Sequence, residues 1–166
     1  MQQFIYDEVL ILSMKSLVVY YSRTNITEKL AKTIASRTDS DIEEIIPKVN
    51  YQGKLGYARG GKHAIQEKII DLENLKYNPE DYDMVYLGTP VWASKASSPV
   101  ISYIKQNEGK FTNVKFFATA GSSGFESTFE QMEKYASVKP QSTLELTTKE
   151  VKKDLFDEKL SSFLEW

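Results

Sequence analysis

Residues 16–37 read SLVVYYSRTNITEKLAKTIASR, and this stretch decides the fold. Its first six residues are apolar or aromatic apart from Ser16, with two adjacent Val and two adjacent Tyr, the composition of a buried strand. A hydroxyl-rich break follows. Ile26, Leu30 and Ile34 then recur at intervals of four, which predicts one apolar helix face over residues 25–37. Asn25 with Glu28 three positions on reads as the capping pair of that helix. A buried strand running into an amphipathic helix is half of a βαβ unit, so the same alternation is expected downstream.

The remaining chain meets that expectation. Residues 41–46 (DIEEII), 84–88 (MVYLG), 114–119 (VKFFAT) and 142–146 (STLEL) read as four further strands. Residues 51–61 read as a Gly-rich connection, and Ile65, Ile69 and Leu72 as the inner face of a second helix. Residues 99–106 predict a third helix, and Phe125, Phe129, Met132 and Ala136 mark a fourth. Leu155, Phe156, Leu160, Phe163 and Leu164 mark a closing helix. Five strands alternating with five helices define a doubly wound α/β sandwich with a parallel sheet. Ligands of such sheets bind beyond the carboxyl ends of the strands.

Composition narrows the chemistry. The chain of 166 residues suits one domain, and a net charge of −2 offers no drive toward nucleic acid. No Cys and a single His, His63, exclude disulfides, thiolate nucleophiles, iron–sulfur clusters and zinc sites of the usual ligand sets. His63 lies beside Gly60, Gly61 and Lys62 with no Ser or Asp partner pattern, and reads as a surface or capping residue. Residues 1–13 (MQQFIYDEVLILS) hold an apolar run broken by Asp7 and Glu8 with no preceding cation, unlike a secretory signal. They read as an accessory extension ahead of a domain over 14–166, in a cytoplasmic protein with no membrane segment.

Three segments stand at strand carboxyl ends. After the first strand, Ser22, Thr24 and Thr27 supply hydroxyl donors beside a helix N-terminus, where backbone N–H groups favour an anion such as a phosphate monoester. No G-x-G-x-x-G follows that strand and no G-x-x-x-x-G-K-[ST] occurs in the chain, which removes the dinucleotide and P-loop signatures. Tyr20 and Tyr21 stand where a phosphoacceptor site would need carboxylates. After the third strand, Thr89-Pro90-Val91-Trp92-Ala93 places an indole at the rim, suited to stacking on a flat heteroaromatic ring. After the fourth, Thr119-Ala120-Gly121-Ser122-Ser123-Gly124-Phe125 lets backbone approach a ligand closely.

Together these segments resemble the flavodoxin family over residues 15–166. The family's [ST]-x-T-G-x-T phosphate loop is matched by Ser22-Arg23-Thr24-Asn25-Ile26-Thr27, with Asn25 in the usual Gly position; Asn visits left-handed backbone more readily than most residues. Thr89-Pro90-Val91-Trp92 is similar to the loop that packs an aromatic on the isoalloxazine. Ala93 follows that aromatic where relatives often carry Gly. Residues 120–125 are similar to the second ring-holding loop, and residues 55–61 (LGYARGG) to a segment of some smaller members. The resemblance implies a three-layer sandwich of strand order 2-1-3-4-5 and noncovalent FMN. It further implies electron transfer with a reductase, a ferredoxin-like donor or an acceptor enzyme, in a monomer or weak dimer. Two alternatives stand beside it: an FMN-dependent NAD(P)H:quinone-type oxidoreductase, and a flavin-free module acting through protein contacts.

Overall fold

A computed structural model describes residues 2–5 and 14–165. Of the expected extension, residues 1 and 6–13 lie outside the described residues. Strand β1 (Ser16–Tyr20) leads into helix α1 (Ile26–Thr38) and strand β2 (Asp41–Glu44). Helix α2 (Gly53–Ile65), a 3-10 turn at Pro79–Asp81, strand β3 (Met84–Trp92) and the short strand β4 (Lys95–Ala96) follow. The chain continues through α3 (Ser98–Gln106), β5 (Val114–Ala120), α4 (Phe125–Ala136), β6 (Thr143–Thr147), α5 (Thr148–Lys152) and α6 (Asp157–Leu164). The parallel sheet runs β2-β1-β3-β5-β6, which is the expected order, since β4 only pairs antiparallel with the end of β3.

Alternation along the strands divides the interior into two layers. Leu17, Val19, Val85, Leu87 and Phe116 face one side, against Val100, Ile101 and Ile104 of α3 and Met132 of α4. Val18, Met84, Tyr86 and Phe117 face the other, against Leu30 and Ile34 of α1 and Leu160 and Phe163 of α6. Each of these aliphatic side chains contributes about 1.5–3 kcal/mol by leaving water. Gly88 lets the sheet accept Phe117: a Cβ there would lie 2.1 Å from the Phe117 ring. Lys115 of β5 is buried, and its Nζ donates to the carbonyls of Phe163 at 2.8 Å and Glu165 at 2.6 Å.

Four expectations are corrected. Residues 53–61, read as connection, belong to α2, which ends at Ile65 and does not reach Ile69 or Leu72. Its buried residues are Gly56, Gly60, His63 and Ala64, so the inner face carries no large aliphatic side chain, while Ile65 and Ile69 are exposed. Residues 89–92, read as loop, extend β3 into a hairpin. Its two connecting residues, Ala93 and Ser94, both have positive φ (50° and 61°), the signature of a type I′ turn. The closing helix begins at Asp157, after Leu155 and Phe156, and a separate short helix, α5, precedes it. Thr147 and Glu150 form a capping box that starts α5, Asp154 takes a φ of 55°, and Leu155 is exposed. Asn25 caps α1 from a left-handed conformation (φ 67°) without a side-chain cap bond, so the Asn25–Glu28 pair does not form.

Candidate functional site

The carboxyl ends of β1, β3 and β5 adjoin one another, because these strands are neighbours in the sheet. The first loop, residues 21–25, delivers a set of donors. Asn25 provides no side-chain cap, which leaves the first N–H groups of α1 without a side-chain acceptor. The Ser22 hydroxyl oxygen is buried and has no hydrogen-bond partner among the described residues. Thr24 and Asn25 are exposed. Thr27 is buried, and its hydroxyl shares a 2.8 Å hydrogen bond with that of Thr119, tying the loop to β5. Only one proton is consumed between those two hydroxyls.

The nearby cations are committed elsewhere. Arg23 donates to the carbonyls of Tyr51 at 2.8 Å and Gly53 at 3.0 Å, holding the start of α2 against the loop. Lys29 pairs with Asp154 at 2.8 Å, and Lys32 with Glu28 at 3.0 Å. An anion here would be held by neutral N–H and O–H donors at a positive helix end, which fits a phosphate monoester. A buried hydroxyl with no internal acceptor is the feature a phosphate oxygen would satisfy.

Thr89, Pro90, Val91, Trp92 and Ala93 build the hairpin. Thr89 turns inward: its hydroxyl donates to the Pro90 carbonyl at 2.8 Å and accepts from the Ser97 N–H at 3.0 Å. The half-buried Trp92 ring lies edge-on to Tyr21 (centroids 5.5 Å apart) and to Tyr51 (5.1 Å), against Gly60 of α2. Ala93 is exposed at the turn. In the third segment Gly121 and Ser122 are exposed, and Gly124 adopts φ 94° at the start of α4. A Cβ on Gly124 would come within 2.9 Å of Val91 and 3.0 Å of the Ser94 Cα, so glycine is needed for the hairpin to close on this loop. Ser127 reinforces that contact by donating to the Ser94 carbonyl at 2.6 Å. Ala120 and Phe125 are buried, and Ile26 packs into the layer beneath α1.

His63 is the residue whose role is most changed. It is buried near the end of α2, with Nδ1 2.8 Å from the Tyr51 hydroxyl. Burial, then the charges of Lys68, Arg59 and Lys62, push its pKa below 6.5. A neutral imidazole accepts the Tyr51 proton in this bond, and burial raises the Tyr51 pKa to about 12, keeping the phenol protonated. The unfolded chain therefore binds more protons than the folded one just below pH 6.5, and stability contributed here is present above that pH and lost as pH falls. The melting-temperature difference between pH 7.5 and 5.5 is expected to shrink in His63→Gln. A variant that keeps the full difference would contradict this role. Two other linkages were not legible in the sequence: Gln131 accepts from the Ala96 N–H at 2.9 Å and donates to Glu67, whose carboxylate lies 3.7 Å from Lys95.

An open-sheet α/β protein with an uncapped, hydroxyl-lined helix N-terminus at the end of β1 belongs to the class that binds phosphorylated cofactors at the sheet's carboxyl edge. The sequence model of the flavodoxin family matches residues 15–160, and the chain belongs to that family. Among solved structures it is similar to the flavoprotein from Lactobacillus acidophilus NCFM in complex with FMN, at 23% identity and a TM-score of 0.67, covering 85% of this chain and 98% of that one. It is also similar to a protein assigned as a flavoprotein from Bacteroides uniformis ATCC 8492, at 24% identity and a TM-score of 0.73, covering 86% and 97%. A more distant likeness is to an NADPH-quinone reductase from P. pentosaceus, at 12% identity and a TM-score of 0.50, covering 90% and 95%. No curated protein matches the sequence.

Proposed function

We propose that the chain is a flavodoxin-type electron carrier that holds FMN noncovalently and exchanges electrons with separate redox proteins of the cytoplasm. The observation that carries this reading is the Ser22 hydroxyl, buried and unpartnered beside the uncapped N-terminus of α1. Membership of the flavodoxin family supports FMN as the group whose phosphate completes that set. No helix among the described residues is long and apolar enough to cross a membrane.

FMN, when bound, supplies the redox chemistry, and the protein supplies binding and orientation. Ser22, Thr24 and the first amides of α1 would hold the phosphate. The Ala93–Ser94 turn and the 121–124 loop, latched together through Ser127 and Gly124, would border the ring. Trp92, braced by Tyr21, Tyr51 and Gly60, would wall it and exclude water.

The likeness to a quinone reductase favours testing one second reading, direct oxidation of a nicotinamide. Anaerobic NADH or NADPH is expected to bleach the FMN-loaded protein only when a separate reductase is added. Rapid bleaching by nucleotide alone would replace the carrier reading with the oxidoreductase one.

A further inference from the structure

We infer that the outer face of α2 is the docking face for an acidic redox protein; this rests on the carrier reading above. The chain as a whole is slightly acidic, with a net charge of −2. Residues 47–68 run the other way. They contain five cations, Lys48, Lys54, Arg59, Lys62 and Lys68, against one carboxylate, Glu67, which is half-buried and engaged by Gln131 and Lys95. Lys54, Lys62 and Lys68 form no ion pair among the described residues.

The same segment gathers exposed apolar side chains. Leu55 is 81% exposed, Tyr57 69% and Ile65 65%. At 100° per residue, Lys54, Leu55, Lys62 and Ile65 project from one side of α2, opposite the buried Gly56, Gly60 and His63. Exposed apolar side chains interspersed with charges of one sign suit a transient protein interface, where the charges steer and orient the partner. The location suits electron exchange. The inner side of α2 touches Trp92 through Gly60, so a partner on the outer side lies about one helix diameter, roughly 10 Å, from the wall of the proposed flavin site.

The rim chooses among occupants. A symmetric second copy would bring one Lys54–Lys62 face against another, a like-charge contact. A phosphate polymer or anionic membrane would meet a chain that is acidic outside this segment, and a polymer would leave Leu55 and Ile65 in water. An acidic protein with apolar side chains in its contact surface matches both features.

The probe is a purified acidic [2Fe–2S] ferredoxin, titrated calorimetrically into the FMN-loaded full chain at low salt. Binding is expected to weaken as salt rises, and to fall at least tenfold in the double variant Lys54→Glu/Lys62→Glu. A loss that persists at high salt is expected in Leu55→Ser/Ile65→Ser. Lys110→Glu/Lys139→Glu, which changes net charge equally at the amino ends of β5 and β6, should shift affinity less than twofold. Equal losses in the two charge-reversed variants would overturn the docking face, as would preference of the parent for basic cytochrome c. So would binding to phosphatidylserine vesicles that Lys54→Glu/Lys62→Glu abolishes while ferredoxin binding stays unchanged. FMN titration separates the two levels: a parent that does not bind FMN overturns the carrier reading, whereas normal FMN binding with equal ferredoxin losses overturns only the docking face.

Discussion

Ser22→Ala combined with Thr24→Ala is expected to lower FMN affinity by about two orders of magnitude while leaving riboflavin affinity nearly unchanged. Hydrogen bonds to a charged group contribute roughly 1.5–3 kcal/mol each, so each hydroxyl accounts for about tenfold or more. The selectivity follows because riboflavin lacks the phosphate. The folded chain should tolerate the change: the Ser22 hydroxyl makes no internal bond, and removing a buried unpartnered oxygen carries no structural loss. Flavin fluorescence during parallel titrations with both ligands measures the effect. Equal weakening for the two would show that the loop does not hold phosphate, and the carrier reading would lose its main support.

The largest expected effect on stability is that of Gly56→Ala. In an ordinary helix the change would stabilise by about 1 kcal/mol. Here a Cβ would sit 2.1 Å from the Tyr51 carbonyl carbon and 2.4 Å from its oxygen, and main chain cannot rotate aside as a side chain can. Overpacking against backbone belongs at the severe end of about 1–3 kcal/mol, which at roughly 2–4 °C per kcal/mol lowers Tm by about 6–12 °C. FMN affinity should fall with it, since Tyr51 braces Trp92 and its carbonyl holds Arg23. Gly61→Ala is the internal comparison: a Cβ there meets nothing within 4 Å, so this variant should be as stable as the parent or more so. Destabilisation of equal size in both would mean that α2 rejects alanine for a reason other than Tyr51.

Both predictions bear on what a sequence reveals. β1 and α1 were legible because their buried faces are built from large aliphatic residues at regular spacing, Val18 with Leu30 and Ile34. α2 was hidden because its inner face is Gly56, Gly60, His63 and Ala64, where close approach replaces bulk, and the visible apolar positions Ile65 and Ile69 point outward. The position of Ser22–Thr27 at a strand-to-helix junction was readable from the apolar run before it and the helical spacing after it. The commitment of Arg23 to Tyr51 and Gly53 was not, since it joins residues 28 and 30 positions apart. His63 shows the same limit: its partner, Tyr51, belongs to the turn before α2, and only the position of that helix brings the two together. The turn at Ala93–Ser94 carries neither Asn nor Gly, so the usual hairpin signal was absent.

Lys115 has a bearing on how the molecule is made. β5 lies inside the sheet, and β1, β3 and β5 have all left the ribosome once residue 120 has. The carbonyls that receive its ammonium, however, belong to Phe163 and Glu165, synthesised some fifty codons later. Until α6 arrives, a sheet closed on that side would bury the ammonium without these two carbonyls, which is unfavourable. The nascent chain therefore gains little by closing this layer early. Closure over Phe117 and Tyr86 is therefore expected to wait for α6, which makes the last helix to be synthesised part of the lid on the sheet interior.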